Sequence, residues 1–328
     1  MKRNVLLMVL VCAISACTQR PGEASPEDMT VDLAYATIPH AALVHIALEK
    51  GYFAAQGLTV NPRAFDFGKL ALASVFSGKS DLATCADTPI VVAALEGKAL
   101  GIMAVIATSD RTTALVADRS SGIEHPADLT GKTIGVTKGT SAEFFLELLL
   151  LARGVDRTGI NIVDMMPAEL LPALQDGRIQ AATAWSPYLL QLQEALAVQA
   201  VTMYGEDFYT EQFYIAGGQE FIQTHPKAME ALMKSFIEAE NYIIREPEDA
   251  YAIISRHMHA GIDLPRSALS QFRFRIYLDG SAITMLEEET RWAESLSSLN
   301  QQTMPDYMQL IRTEALSAIA PDRVRIIR

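Results

Sequence analysis

The sequence predicts an α/β protein built as a two-lobed clamshell, in which each lobe is a mostly parallel sheet flanked by helices. Three observations predict this fold class. Apolar strand-length segments alternate with amphipathic helix-length segments, which is typical of βαβ units. The alternation begins afresh at residues 128–136, DLTGKTIGV. The chain has 328 residues, more than a single hydrophobic core usually organises.

The first lobe begins with a predicted strand over residues 30–36 and a predicted helix over 40–55. Gly57 is expected to end that helix, because glycine is common just after a helix C-terminus. The alternation continues with strands over 58–65, 81–86 and 100–108 and with helices over 69–77 and 88–96.

The second lobe repeats this pattern after residue 128. Its predicted strands cover 133–137, 161–165 and 181–185, and its predicted helices cover 141–153, 170–176 and 188–197. The stretch 213–218 is expected to cross back to the first lobe. The chain after Pro226 is predicted to be helical, with helices over 227–244, 247–257, 284–299 and 304–320 placed on the first lobe. The predicted domains are 30–115 with 216–328 for lobe one, and 116–215 for lobe two.

The N-terminus predicts export and attachment to a membrane through lipid. Lys2 and Arg3 precede an apolar run, and small residues lead into Cys17, which is the layout of a secretory signal peptide. The ending Ile14-Ser15-Ala16-Cys17 also resembles the lipobox of bacterial lipoproteins, in which the cysteine is lipidated. The apolar run is shorter than the about 20 residues of a membrane-spanning helix. We therefore predict a signal peptide over 1–16, lipid on Cys17 and a flexible tether over 17–29. An ordinary signal peptide with an incidental cysteine is the alternative.

Charge and cysteine content narrow the function. The chain carries 27 Lys+Arg against 39 Asp+Glu, a net charge of −12, which argues against nucleic acid as a partner because such partners need clustered positive charge. Once the signal peptide and the lipidated cysteine are set aside, Cys85 is the one remaining cysteine. No structural disulfide is therefore expected.

The sequence lacks complete motifs for nucleotide binding, metal binding or hydrolysis. The segment Gly131-Lys132-Thr133 resembles the end of a P-loop, but Pro126 stands where its first glycine belongs and the segment enters a strand. His40 and His45 are five positions apart and would face different sides of a helix. The Gly-x-Ser-x-Gly motif is also missing. We expect no metal, no cofactor and no catalytic residue.

The turn Lys138-Gly139-Thr140-Ser141 is a stronger signal, because it joins a strand to an apolar helix. Free N–H groups at a helix N-terminus, together with the hydroxyls of Thr140 and Ser141, form a site suited to an oxyanion. In the alternative interpretation, one of these residues is only the N-cap and Glu143 is a first-turn carboxylate that the helix dipole favours.

Several short segments form a recognisable series along the chain: ALEKGYF at 47–53, GLTV at 57–60, ATCADTP at 83–89, DLTGKTIGV at 128–136, KGTS at 138–141 and DGRIQAA at 176–182 followed by AWSPY at 184–188. In this order and spacing they resemble the solute-binding proteins of ABC importers. The resemblance is to the nitrate, sulfonate and taurine group, which also contains binders of thiamine pyrimidine precursors. The resemblance implies the type II periplasmic-binding-protein fold, with a discontinuous first lobe and hinge closure around a ligand.

The function that the resemblance implies is capture of a small polar molecule between the lobes. Its class would be sulfonate, taurine, nitrate or nitrogen heterocycle. The protein would be an exported lipoprotein facing the periplasm or the cell exterior, a monomer that delivers the ligand to an ABC permease and its ATPase. A ligand-sensing lipoprotein that reports to a membrane receptor is one alternative. An enzyme similar to pyrimidine-precursor synthases is another, which the export signal and the lack of clustered cysteines disfavour.

Candidate ligand-binding residues follow strand ends, because ligands of such sheets lie beyond the carboxyl ends of the strands. In lobe one they are Thr37, Pro39, His40, Asp66, Gly68, Cys85, Asp87, Thr108 and Ser109. In lobe two they are Thr140, Ser141, Glu143, Trp185 and Tyr188. Each has a structural alternative as a helix cap or core residue. Three of them, Asp66, Asp87 and Glu143, would repel a bare anion, so we predict a ligand with a positive or hydrogen-donating group.

Overall fold

A computed structural model describes residues 29–258, 266–295 and 303–326. The predicted signal peptide, the lipidation of Cys17 and all but the last residue of the predicted tether lie outside these residues. Within the described part of the chain, no helix combines the length and the apolar character needed to cross a membrane.

Strands and helices alternate along most of the chain. The strands are β1 (Thr30–Ala36), β2 (Thr59–Phe65), β3 (Leu82–Ala86), β4 (Leu100–Ser109), β5 (Thr113–Asp118), β6 (Thr133–Val136), β7 (Asn161–Asp164), β8 (Ala181–Trp185), β9 (Ala200–Met203), β10 (Glu211–Gly218), β11 (Arg273–Asp279) and β12 (Val324–Arg325). The helices are α1 (Ala42–Glu49), α2 (Tyr52–Ala55), α3 (Gly68–Phe76), α4 (Asp87–Leu95), α5 (Ser141–Ala152), α6 (Pro167–Gln175), α7 (Tyr188–Leu196), α8 (Gln219–Thr224), α9 (Pro226–Arg245), α10 (Pro247–His257), α11 (Arg266–Leu269), α12 (Gly280–Ser295), α13 (Tyr307–Leu310) and α14 (Glu314–Ile319).

The strands form two separate sheets. Among the described residues, the first sheet has the order β12-β11-β4-β10-β3-β1-β2 and the second has the order β7-β6-β8-β5-β9. Strands joined by helices pair in parallel, as β1 does with β2 and β3 and as β6 does with β7 and β8. The predicted two-lobed α/β fold is therefore confirmed.

Both sheets also contain antiparallel pairs, so they are mixed. The first strand after each crossing between the lobes follows the preceding strand without an intervening helix and runs antiparallel to its neighbours. β10 returns from the second sheet and pairs antiparallel with β3 and β4. β5, which carries the chain outward, pairs antiparallel with β8 and β9. The crossings between the sheets are residues 110–112 and 204–210. The predicted domain boundaries, after 115 and after 215, fall inside β5 and β10 and stay a prediction.

Three helical predictions are corrected by the structure. The predicted helix over 40–55 is broken: a short 3-10 turn covers Pro39–Ala41, and α1 and α2 are separated at Gly51, whose φ of 68° suits glycine. The region after Pro226 is not wholly helical. β11 is a strand because Ile276 and Leu278, two positions apart, both face the core with no exposure. The predicted last helix over 304–320 is two short helices, α13 and α14.

The second sheet has an apolar core on each face. Leu115 of β5 packs with Phe145 of α5 on one face, while Val116 packs with Leu170 of α6 on the other. Neighbouring residues of a strand point to opposite faces, so β5 contributes to both cores. A further buried cluster joins the two lobes. It contains Ala36, Ile38 and Phe67 from the first lobe and Val136, Ala142 and Trp185 from the second.

Candidate functional site

A small cavity lies between the lobes, next to the cluster that joins them. Its volume is about 20 Å³, and buried residues of both lobes pack together beside it, so the lobes are closed on each other. Both lobes and the returning strand β10 form its wall. The wall residues are Ile38, His40, Phe67, Gly68, Lys69, Ala86 and Pro89 from the first lobe, Thr140, Ser141 and Trp185 from the second, and Glu211 and Phe213 from β10.

Three helices begin at this wall. Gly68 is the first residue of α3, Ala86 immediately precedes α4, and Ser141 is the first residue of α5. The first N–H groups of a helix have no partner within the helix, and the helix dipole places partial positive charge there. The backbone therefore makes this wall favourable to negative charge.

His40 and Trp185 each place at the wall a buried ring nitrogen that has no hydrogen-bond partner among the described residues. His40 is 3% exposed and stacks on Phe213 with ring centroids 4.5 Å apart. Burial lowers the pKa of His40 to about 3, so its imidazole is neutral. Trp185 is 6% exposed and packs against Phe67. His40 Nε2 and Trp185 Nε1 have no hydrogen-bond partner among the described residues, and each such atom costs about 1–3 kcal/mol.

Glu211 is the one carboxyl group among the residues of the wall. It is 2% exposed, and its Oε2 accepts a hydrogen bond of 2.7 Å from Thr113 Oγ1. Burial, with the nearby carboxylate of Asp87, raises the pKa of Glu211 to about 8. At pH 7 the side chain is mostly protonated and therefore offers a donor as well as an acceptor.

Lys69 lies on the wall and connects the lobes. It is the second residue of α3, and its Nζ donates a hydrogen bond of 2.7 Å to the carbonyl oxygen of Lys138 in the second lobe. The side chain is exposed. A positive charge therefore stands where the two lobes meet beside the cavity.

Comparison with known proteins agrees with this architecture. The family model described as NMT1/THI5 like matches residues 38–250, more than half of the chain. The chain belongs to this family. The family resemblance inferred from the sequence is thereby confirmed, while the lipid anchor stays a prediction.

Relatives of this NMT1/THI5-like protein include binding proteins of bacteria. The taurine-binding periplasmic protein of Escherichia coli (strain K12) is 26% identical over 224 residues, 67% of this chain and 68% of the relative. A protein of Brucella abortus (strain 2308), named as a candidate binding protein without a ligand, is 26% identical over 264 residues, 79% of each chain.

A solved structure shares the fold. The alkanesulfonate-binding protein SsuA from Xanthomonas axonopodis pv. citri, bound to MOPS, superimposes with a TM-score of 0.73 at 16% identity. The likeness covers 87% of this chain and 98% of SsuA. It shows that this family member has the fold of periplasmic binding proteins.

Five of the residues predicted from the sequence do line the cavity of this NMT1/THI5-like chain: His40, Gly68, Thr140, Ser141 and Trp185. Gly68 has a strict steric reason to be glycine, because a Cβ there would lie 2.7 Å from the Cα of Cys85. Thr140 is less available than predicted, since its hydroxyl donates a 2.6 Å hydrogen bond to the carbonyl oxygen of Thr137.

Four predicted residues are buried behind the wall in structural roles. Thr37 donates its hydroxyl to the carbonyl oxygen of Phe65 at 3.2 Å, and Ser109 donates to that of Gln271 at 3.0 Å. Pro39 begins the 3-10 turn that carries His40. Cys85 is fully buried, and burial raises the pKa of its thiol.

Two further predicted residues lie away from the cavity or at its edge. Thr108 borders a groove with Arg273 and Tyr277 instead. Tyr188 is half-buried and meets Trp185 edge-on, with ring centroids 6.1 Å apart.

The carboxylates on which the predicted ligand charge depended do not line the wall. Asp66 is exposed, and Glu143 accepts a 2.7 Å hydrogen bond from the N–H of Gly139. Asp87 accepts hydrogen bonds from the N–H groups of Thr88 and Gln212, each at 3.0 Å. These donors hold Asp87 and Glu143 in local structural roles, so the premise of that prediction does not hold.

The residues that sequence reasoning missed are chiefly Glu211 and Phe213. The rule used to find candidates takes the ends of parallel strands, and β10 runs the other way. Its first residues therefore lie at the edge where β3 and β4 end, and Glu211 pairs with Ser109 in the register. The predicted crossing at 213–218 includes Phe213 and lies next to Glu211, so it is the sequence feature that could have identified them. Among the described residues, no group of His, Cys, Asp and Glu is arranged to hold a metal ion.

Proposed function

We propose that this chain is an exported solute-binding lipoprotein that closes its lobes around a small oxyanion of the sulfonate class and delivers it to an ABC permease. One observation carries the proposal. The wall of the cavity between the lobes combines three helix N-termini with the unpaired nitrogens of His40 and Trp185. Oxygen atoms of a solute would satisfy these groups.

The charge of the wall favours an anion. The N-termini of α3 and α5, together with Lys69, contribute positive potential, while the Asp87 carboxylate at the start of α4 offsets that of α4. His40 is neutral, and Glu211 is mostly protonated at pH 7, because its pKa is about 8. The names of the relatives support the same class, since one binds taurine and the solved neighbour binds an alkanesulfonate.

The apolar part of the wall favours a short carbon chain on the anion. Ile38, Phe67, Phe213 and the ring of Trp185 present carbon atoms to the cavity. Removing such atoms and a short alkyl chain from water stabilises the complex by roughly 0.8 kcal/mol for each CH₂ group. Nitrate lacks this part and is expected to bind more weakly than an alkanesulfonate.

Binding would proceed by movement of the lobes. Residues of both lobes form the cavity wall and pack together beside it, so the lobes must separate to admit a solute. The crossings at 110–112 and 204–210 are the connections about which they would turn. The solute contacts both lobes only when they are closed, so it shifts the population toward the closed form, which the permease would then recognise.

A ligand screen with matched tryptophan variants tests this function. We expect ethanesulfonate and taurine to raise the melting temperature, since a solute at 100 times its Kd stabilises by about 2.7 kcal/mol. Trp185→Phe keeps an aromatic ring but removes Nε1, and should weaken binding by about tenfold. Trp292→Phe, outside the wall, should bind as the wild type does. Absence of any shift with these anions, or equal binding by Trp185→Phe, would contradict the proposal.

Attachment to the membrane and delivery are tested in cells. Cys17→Ser should release the protein from the membrane fraction, because lipid on that cysteine is the proposed anchor. The solute-loaded protein should stimulate the ATPase of its reconstituted permease. A variant that stays in the membrane fraction would contradict the lipid anchor without touching the binding function.

A further inference from the structure

Three buried carboxyl groups meet where β10 enters the first sheet. Asp87 belongs to α4, Glu211 to β10 and Glu289 to α12, and they are 0%, 2% and 0% exposed. In the described part of the chain, no Lys, Arg or His forms an ion pair with any of them. Buried carboxylates without a cation cannot all be ionised, because each charge loses its hydration and repels the others.

Hydrogen bonds decide which member of the cluster is ionised. Asp87 accepts from the N–H groups of Thr88 and Gln212 and from the Tyr209 hydroxyl, at 3.0 to 3.2 Å. These donors stabilise its carboxylate. Glu289 lies beside Asp87, and its pKa is well above the usual range because of burial and the Asp87 charge. The negative charge of the cluster therefore belongs to Asp87.

Glu211 is the member of the cluster that reaches the solute cavity. The groups that face it from the surrounding elements are Asp87 of α4, Thr113 of β5, Ser141 of α5, Glu289 of α12, and Tyr209, with His40 and Lys69 on the same cavity wall. Its Oε2 accepts from Thr113. With Asp87 ionised behind it, the proton of Glu211 is retained at the cavity.

We propose that Glu211 is a specificity-determining residue, which keeps its proton in the resting protein and donates it in a hydrogen bond to the oxyanion of the solute. The anion is then bound only while Glu211 is protonated. Asp87 and Glu289 act as positioning residues, because they set where the proton resides. This inference rests on the proposed function, in which the solute is an oxyanion.

The alternative is an ionised Glu211 that pairs with an ammonium group of a zwitterion. The two cases predict opposite dependences on pH and on the amine of the solute. With a protonated Glu211, affinity for ethanesulfonate is constant below about pH 8 and falls tenfold per pH unit above it. Taurine and ethanesulfonate then respond alike to changes at this residue.

Calorimetric titration of ethanesulfonate and taurine between pH 6 and 10 provides the test. Glu211→Gln retains a hydrogen donor but cannot lose a proton, so it should bind within threefold of the wild type at pH 6 and lose the fall above pH 8. Glu96→Gln, an exposed carboxyl on the surface, should keep the pH dependence of the wild type. Loss of taurine binding but not of ethanesulfonate binding in Glu211→Gln would overturn the proposal in favour of the ammonium pair.

A second measurement uses the protein without solute. In ¹³C NMR of glutamate-labelled protein, the carboxyl resonance that Glu211→Gln removes should titrate near pH 8. Titration near the ordinary value of 4.5, with anion binding intact at every pH, overturns the inference about Glu211 alone. A resonance near pH 8 with no anion binding at any pH overturns the proposed function, and with it the donation of the proton to an anion.

Discussion

Lys69 of the first lobe and Lys138 of the second are joined by a hydrogen bond of 2.7 Å from the Nζ of one to the carbonyl oxygen of the other. The adjacent Gly139 has a φ of 67°, and a Cβ there would lie 3.0 Å from Lys69 Nζ. Glycine at this turn thus lets the ammonium group approach the backbone. The contact links the lobes in the closed form and fixes a positive charge beside the cavity.

Replacing Lys69 should weaken solute binding. Lys69→Met removes the bond between the lobes, which is exposed and worth about 0.5–1.5 kcal/mol, and the charge beside the anion. We expect affinity for ethanesulfonate to fall by about tenfold in calorimetry. Lys79→Met, an exposed lysine on the same lobe that is not on the wall, is the control. Equal affinity of the Lys69 variant and the control would show that the bond plays no part in closure.

Gly68→Ala should displace the start of α3. The added Cβ would lie 2.7 Å from the backbone Cα of Cys85 and 3.3 Å from the carbonyl oxygen of Thr84. Overpacking of this kind costs about 1–3 kcal/mol, and the shifted N–H groups of α3 should also reduce solute affinity. Urea unfolding and calorimetry measure the two effects. Gly280→Ala, where nothing lies within 4 Å, should leave both unchanged, and similar behaviour of the two variants would be evidence against the steric argument.

Substitutions at Thr140 and Ser141 should affect different properties: the unfolding free energy at Thr140 and mainly the solute affinity at Ser141. The Thr140 hydroxyl is committed to the carbonyl oxygen of Thr137, so Thr140→Val should cost about 1–2 kcal/mol of unfolding free energy. Ser141 begins α5 at the wall, so Ser141→Ala should mainly reduce affinity, by about five- to tenfold. Urea unfolding and calorimetry on each variant give the comparison. The reverse pattern would exchange the roles assigned to them.

Asp87 and Glu211 should each remove stability from the ligand-free protein as the pH rises from about 4 to 8, whereas the lowered pKa of His40 acts in the opposite direction below about pH 6.5. The folded-state pKa values of Asp87 and Glu211 are about 6 and about 8, above their ordinary values of 3.8 and 4.5. At these two groups the folded chain therefore binds more protons than the unfolded chain. Each raised group contributes stability that is complete below its ordinary pKa and is lost through its folded-state pKa, at about 1.4 kcal/mol per pH unit.

Urea unfolding at pH 5 and pH 8 measures this loss, and Glu211→Gln provides the comparison. Because glutamine does not titrate, the variant should show a smaller decrease in unfolding free energy between the two pH values. A change of the same size in the variant and the wild type would assign the effect to other groups, and a variant that loses more stability than the wild type between pH 5 and pH 8 would contradict the sign.

The sequence predicted the site best for residues whose side chains suit a ligand and whose position in the chain is at the end of a strand. His40, Gly68, Thr140 and Ser141 follow strands of βαβ units and Trp185 is the last residue of such a strand, and local turn signals mark where those strands end. Parallel strands linked by helices must end at one edge of the sheet. The local sequence at each strand end is therefore sufficient to predict that these side chains lie at the cavity.

The prediction was less accurate for side chains that can accept a hydrogen bond either from the solute or from a nearby backbone N–H group. Asp87 and Glu143 were expected to face the ligand, but backbone N–H groups of Gln212 and Gly139 hold them. The bond between Glu143 and Gly139 spans one turn and is a local alternative that the sequence already contained. The bond between Asp87 and Gln212 joins residues 125 positions apart, which no local pattern reveals.

The sequence by itself determined the two-lobed α/β fold, the family and the helix N-termini at the cavity, because these depend on periodicity and on short segments. Only the tertiary structure decided that Glu211 and Phe213 complete the wall, since that requires β10 to return antiparallel between β3 and β4. The protonation of Glu211 was decided there too. A pKa of about 8 arises from burial and from Asp87, and both come from residues distant in the chain that folding brings together.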